Sequence, residues 1–178
     1  NPLMQYGTPY YAIMGMPVWY PITLVLALFG YAPNTVAISY IVHIAIGGFG
    51  MFLLGKQHLD EENNHISKST LFSSLIVGIV YCGSGVFLSN AQHIMIIISA
   101  AWIPYVFFFM RCYIRKKYIF FGMLAGGCSC LILLGGYPEL FYNLFLFLFI
   151  YTIYYKWNNN NSYITNITSA MVSYVSVC

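Results

Sequence analysis

Across 178 residues the chain is 60% hydrophobic and 19% aromatic but only 6% charged, with a net charge of +3. A soluble domain carries roughly 25% charged residues, so these side chains cannot cover a water-facing surface, and a soluble globular domain is excluded. No basic stripe stands apart from the ends of the apolar segments, which argues against a nucleic-acid-binding surface.

A bilayer-spanning helix needs about 20 apolar residues. In chain order, residues 1–34 hold only one short apolar stretch, Ile22 to Phe29, bracketed by Pro21 and Pro33. It is too short to span and reads as an interfacial or re-entrant helix. Five spans are then predicted at about residues 35–55, 70–89, 93–110, 118–135 and 140–155, and a sixth begins near Tyr163. In the first of them "IGGFG" (Gly47, Gly48, Gly50) predicts close helix packing. In the third, Pro104 predicts a kink whose freed carbonyl is bonded by a neighbouring helix or by water. The expected fold is all-α, a polytopic membrane helix bundle of five to six spans plus the short helix. Residues 1–178 read as one transmembrane domain, 1–34 an outer loop and 35–178 the helices. The chain starts on Asn and stops inside "ITSAMVSYVSVC", so both ends read as cut from a longer multi-pass protein.

The connections alternate in charge. Every cation falls in "GKQHLDEENNHISKS", "RCYIRKK" or "KWNNNNS": Lys56, Lys68, Arg111, Arg115, Lys116, Lys117 and Lys156. The N-terminal stretch, "SNAQ" and "GGYPE" carry none. The positive-inside rule places residues 56–69, 111–117 and 156–162 in the cytoplasm. A wrong segmentation would scatter the cations over both sides. Tyr10, Tyr11, Trp19 and Tyr20 are then expected at the outer interface, and the "DEE" cluster, Asp60 to Glu62, in a solvated cytoplasmic loop.

Glu139 is the only formally charged residue on the outer side. Three connections converge there: Asn90, Gln92 and His93 from one turn, Tyr137 and Glu139 from another, and Gln5, Tyr6 and Trp19 from the N-terminal stretch. A carboxylate, an imidazole, amides and aromatic faces suit a sugar, whose hydroxyls pair with the polar groups while its ring lies on Trp or Tyr. Glu139 can equally serve the helix that starts after Pro138, since acids favour helix N-termini. Thr35, Ser39 and His43, at i, i+4 and i+8, form one helical stripe descending about 12 Å. An intramembrane His is costly unless it faces protein or water, so His43 marks either a polar groove or a bond to a backbone carbonyl of a neighbouring helix. Trp102, on the far helix face from His93, reads as packing. Cys82, Cys112, Cys128, Cys130 and Cys178 read as small core residues, with Cys112 in a short basic loop, because "CSC" has no matching pair for zinc.

The ordered motifs "QYGTPYY", "WYPI", "GGFGMFLL", "GIVYCGSGVFLSNAQH", "AAWIPYVF" and "LLGGYPELFY", from about Gln5 to Tyr142, resemble the YfhO-type bacterial multi-pass membrane proteins. The resemblance implies a GT-C-type glycosyltransferase that takes a sugar from a polyprenyl-phosphate carrier. The sugar goes to a cell-envelope polymer such as teichoic acid, outside the bacterial cytoplasmic membrane. His93 matches the family's recurrent His, and "GYP" its Gly-aromatic-Pro turn. The family position of Glu139 is often Gln, which cannot act as a base, so Glu139 is expected to bind substrate rather than deprotonate it. The family's catalytic acid belongs to a loop expected upstream of this chain. With no Lys or Arg on the outer side, the leaving phosphate would depend on absent regions or on a divalent metal; no cofactor is evident. The alternatives are a transporter or flippase for lipid-linked sugars, and a non-catalytic membrane assembly subunit.

Overall fold

The computed structural model describes residues 15–30, 33–63 and 68–159, with side chains through Asp60 and then from Lys68 to Tyr151. Seven helices follow one another: α1 (Pro21–Ala27), α2 (Pro33–Asn63), α3 (Lys68–Cys82), α4 (Gly85–Leu88), α5 (Ile94–Lys116), α6 (Ile119–Leu134) and α7 (Pro138–Asn159). No strand occurs among the described residues. The all-α bundle expected from composition is present, and four of the five predicted spans each coincide with one helix, the span at 70–89 with two. Three stretches, Pro33–Asp60, Lys68–Leu88 and Ile94–Lys116, are long and apolar enough to cross a membrane, and Ile119–Leu134 and Pro138–Tyr151 are shorter apolar helices. The sixth predicted span lies outside the described residues.

Local chemistry sets several boundaries. Pro21 starts α1 and Pro138 starts α7, positions where the missing N–H would have had no helical partner. Between α3 and α4 the chain breaks at Gly83 and Ser84, so the predicted span at 70–89 is two helices. The "DEE" cluster is a correction: α2 continues to Asn63, so Asp60 to Glu62 are helical and Asp60 is half-buried. At 1.5 Å per residue the 31 residues of α2 reach about 46 Å, against a hydrocarbon core of about 30 Å. The apolar pattern marks where the slab would end, while the helix runs on past it. Cys112 is also corrected: it is buried inside α5, and its Sγ accepts from Gln57 Nε2 at 3.4 Å.

α5 is the central helix. Ten of its residues are buried, whereas α1 buries none. It packs beside α2, and paired contacts advance together along both: His43 near Trp102 through Tyr20, Ile46 with Tyr105, Gln57 with Cys112, His58 with Arg111. These two helices are therefore parallel, and α3 returns between their ends. α6 returns antiparallel, with Ser99 donating to the Ile132 carbonyl near one end and Tyr113 against Gly122 near the other. α7 follows α5 again, placing Phe107 edge-on to Phe147. This alternation collects Lys56, Lys68, Arg111, Arg115, Lys116 and Lys117 at one end. The turns at 89–93 and 135–137 lie at the opposite, cation-free end.

The burial pattern is inverted relative to a soluble protein. Leu71, Phe72, Leu75, Ile79 and Val80 of α3 and Leu146, Phe147 and Ile150 of α7 are exposed, while Ser39, His43, Thr70, Ser74, Ser99 and Ser129 are buried. The buried serines bond carbonyls: Ser74 to Thr70 at 2.7 Å, Ser99 to Ile132 at 3.0 Å and Ser129 to Ala125 at 2.9 Å. Such a surface is stable against lipid and not against water.

The glycines of "IGGFG" do what their spacing predicts. A Cβ on Gly48 would strike Cys82 Sγ, and one on Gly78 would lie 2.8 Å from the Gly48 carbonyl oxygen, so α2 and α3 meet backbone to backbone. One on Gly47 would lie 3.0 Å from Phe87 and 3.3 Å from Ala101 Cα. Pro104 removes the N–H that would have bonded the Ala100 carbonyl. Tyr81 supplies the replacement, its hydroxyl donating to Ala100 O at 3.0 Å.

Two outcomes are expected. Tyr81→Phe lowers stability by about 1–3 kcal/mol, and in a Pro104→Ala background, where the helix regains its own N–H, the same change costs much less. Unfolding in mild detergent measures the cycle. Gly48→Leu lowers the unfolding midpoint, by roughly 1–3 kcal/mol for overpacking. Gly127→Leu does not, because a Cβ there meets nothing within 4 Å.

Candidate functional site at the cation-free end

The cation-free end is organised around the segment from Gly15 to Tyr20. Gly136 has φ +88, and a Cβ on it would meet Gly15 O at 3.1 Å and Pro17 N at 3.2 Å, so glycine is needed twice over. On its other side Pro17 shares the wall of a cleft with Ile94, the first residue of α5 after His93. Pro17 thus lies against the 135–137 turn and shares the cleft with the start of α5.

The predicted site residues fall into two groups. At the rim, Trp19, Gln92, His93 and Glu139 are exposed, and Asn90 and Tyr137 are half-buried. Tyr137 donates its hydroxyl to Glu139 Oε2 at 2.9 Å. That hydrogen bond first, then the carboxylate's charge, holds the Tyr137 phenol above its usual range. Glu139 stands in the first turn of α7, where the helix dipole favours an anion. Asn90 Nδ2 donates to the Val86 carbonyl, four residues back, at 3.1 Å. Gln5 and Tyr6 lie outside the described residues.

His43 is not part of that rim. It is fully buried, and its partners correct the expected carbonyl of a neighbouring helix. Nδ1 lies 2.6 Å from the Ser39 carbonyl oxygen of its own helix, so Nδ1 carries the proton. Nε2 is then an acceptor, and the Tyr20 hydroxyl donates to it at 2.8 Å. Tyr20 in turn accepts from Trp102 Nε1 at 2.8 Å. The chain Trp102, Tyr20, His43, Ser39 leaves no ring nitrogen unbonded. Tyr20 is therefore 0% exposed rather than interfacial, and Trp102 is a hydrogen-bond donor rather than packing alone. A buried His at i+4 from a Ser signals that a partner is needed. Nothing in sequence separation points to residues 23 and 59 positions away.

Above His43 lies a cleft of about 70 Å³. Thr23 and Leu26 of α1 form one wall, Thr35, Val36 and Ser39 of α2 another, and Ile94 and Ile98 of α5 the floor. The Thr35–Ser39 part of the predicted stripe does face a groove, but His43 is not among the residues that line it. Among the described residues no three His, Cys, Asp or Glu side chains come together as metal ligands. No family model, curated protein or solved structure matches this chain.

Tyr20→Phe would strand Trp102 Nε1 and His43 Nε2 together. The expected loss is about 1–3 kcal/mol per stranded group, with Gly15 to Gly30 becoming sensitive to protease while α2 to α7 remain protected. Limited proteolysis in detergent, read by mass spectrometry, checks it.

Proposed function

We propose that this chain is a module of a bacterial cytoplasmic-membrane glycosyltransferase, moving a sugar from a polyprenyl-phosphate donor to a cell-envelope polymer at the outer face. The observation that carries this reading is the junction at Pro17, which brings the N-terminal segment against both the 135–137 turn and the start of α5. Exposed groups at that end include a carboxylate, an imidazole, a primary amide and the Trp19 indole. That is the chemistry of a carbohydrate contact: hydroxyls pair with Glu139, His93 and Gln92, and a ring face lies on Trp19 or Tyr137.

In the transfer, an acceptor hydroxyl oxygen attacks the anomeric carbon, the bond from that carbon to the phosphate oxygen breaks, and polyprenyl phosphate leaves with the hydroxyl's proton on its phosphate. Glu139 is assigned to binding, since it is exposed and already accepts from Tyr137. The orientation rests on the clustering of cations at the opposite end, which the positive-inside rule assigns to the cytoplasm. A transport reading needs a polar path between the two faces. His43, the intramembrane ionisable residue on which such a path would rely, is instead locked in a closed hydrogen-bond chain.

Protein purified with its full native chain and supplied with a radiolabelled polyprenyl-phosphate sugar should transfer label to an envelope polymer. Glu139→Gln should keep activity within a few-fold. Glu139→Ala should lose roughly ten- to a hundredfold, the worth of a hydrogen bond to a charged group. Equal and complete loss in both would make Glu139 a base. Absence of transfer to any acceptor, or failure of a membrane-impermeant maleimide to label Glu139→Cys in intact cells, would sink the reading.

A further inference from the structure

Only Lys117 and Tyr118 join α5 to α6, and this short connection lies within a run of exposed residues. Arg115, Lys116 and Lys117 come first, and Tyr118, Ile119 and Phe120 follow at 67, 63 and 61% exposure. The turn is held in shape from below. Lys117 stands in the left-handed region at φ 56, and its N–H donates to the Tyr113 carbonyl at 2.8 Å. Tyr113 is itself buried, with its ring against Gly122 of α6. Lys116 Nζ lies 5.3 Å from the centre of the Phe121 ring, so this cation is kept at the edge of the apolar surface. Compensation of the α5 dipole accounts for a cation in its last turn. It does not call for three in succession, or for a lysine in a conformation that favours glycine. The six cations of this end face three acids, Asp60 to Glu62, so three positive charges are left over.

We infer that the α5–α6 turn is a docking surface for an anionic glycerophospholipid, the phosphate meeting the three cations and an acyl chain lying along Ile119 and Phe120. Met123, four residues beyond Ile119, is 52% exposed and continues that face down the helix. Charge selects the headgroup, because a zwitterionic lipid brings no net charge to a surplus of cations. The join between the two halves of the patch selects a lipid, because a soluble anion would cover the cations and leave the apolar half bare. The surface lies at the end opposite the one assigned to the sugar and stands independently of transfer.

The whole chain in nanodiscs of phosphatidylcholine, doped with a little phosphatidylglycerol carrying a diazirine at the head of one acyl chain, tests this. Irradiation should place adducts on Ile119 and Phe120 several-fold in excess of those on Leu71 and Phe72, exposed residues of α3 at the same end. A phosphatidylcholine probe with the same diazirine should label the two pairs alike. Lys116→Gln with Lys117→Gln should lower the phosphatidylglycerol adducts on α6 by roughly fivefold for each charge removed, while Lys116→Arg with Lys117→Arg should keep them. Lys56→Gln with Lys68→Gln removes the same charge from the same end and should leave them within about twofold. Equal labelling of the two pairs by the phosphatidylglycerol probe, or an equal fall in both glutamine double variants, would overturn the assignment. So would loss of the preference on adding millimolar inorganic phosphate, which would make the turn a site for a soluble anion. A protein that transfers no sugar but gives the expected adducts keeps the lipid surface and loses only the transferase reading.

Discussion

A polar atom buried in this bundle can bond only to other protein atoms, and much of the architecture follows from that constraint. Three tyrosines show it most directly. Tyr40 donates to the Phe87 carbonyl at 3.1 Å, Tyr81 to Ala100 at 3.0 Å and Tyr105 to Ile46 at 2.9 Å. Each bond crosses from one helix to another, and each uses a carbonyl as acceptor. With lipid outside, apolar burial gives little preference for one helix partner over another. Directional bonds and close backbone approach supply that preference instead. The Gly48–Gly78 crossing and the Tyr105 bond lie near one another on α2, and together they hold it between α3 and α5.

The same constraint shapes the end where a site could form. Tyr20 is drawn into the bundle because it completes the bonding of both His43 and Trp102. Burying it fixes the segment before α1, and this in turn seats Gly15 and Pro17 against the turn at Gly136. Positioning of the rim is thus a consequence of bonding in the interior. Trp19, next to the anchored Tyr20, remains exposed on the outside of that anchor. Thr35 ties the other end of the segment, donating to the Gly30 carbonyl at 3.0 Å. The short helix is consequently held at both ends while contributing no buried residue of its own.

Polar side chains in the cleft and at the rim have different standing. Glu139 and His93 are exposed, and a ligand can reach them without rearrangement of the fold. His43 has both nitrogens committed, and recruiting it would require breaking a chain of four residues. Ser39 lies between these cases: it lines the cleft, while its carbonyl and its hydroxyl both meet His43 Nδ1.

Composition and spacing alone determined the class, the five helical segments and the segregation of cations to one end. Those features depend on local hydrophobicity and on the parity of helix crossings, and both are written in the order of residues. The glycine packing and the need of the Ala100 carbonyl for an outside partner were legible for the same reason. Which partner arrived was not: Tyr81 for Ala100, and Tyr20 with Trp102 for His43, depend on how α1, α3 and α5 sit around α2. The tertiary structure also extended α2 through the "DEE" cluster, since a helix can continue beyond the apolar slab that delimits its hydrophobic pattern. It separated His43 from the rim as well, because a periodic stripe gives the face of a residue but not what stands across from it.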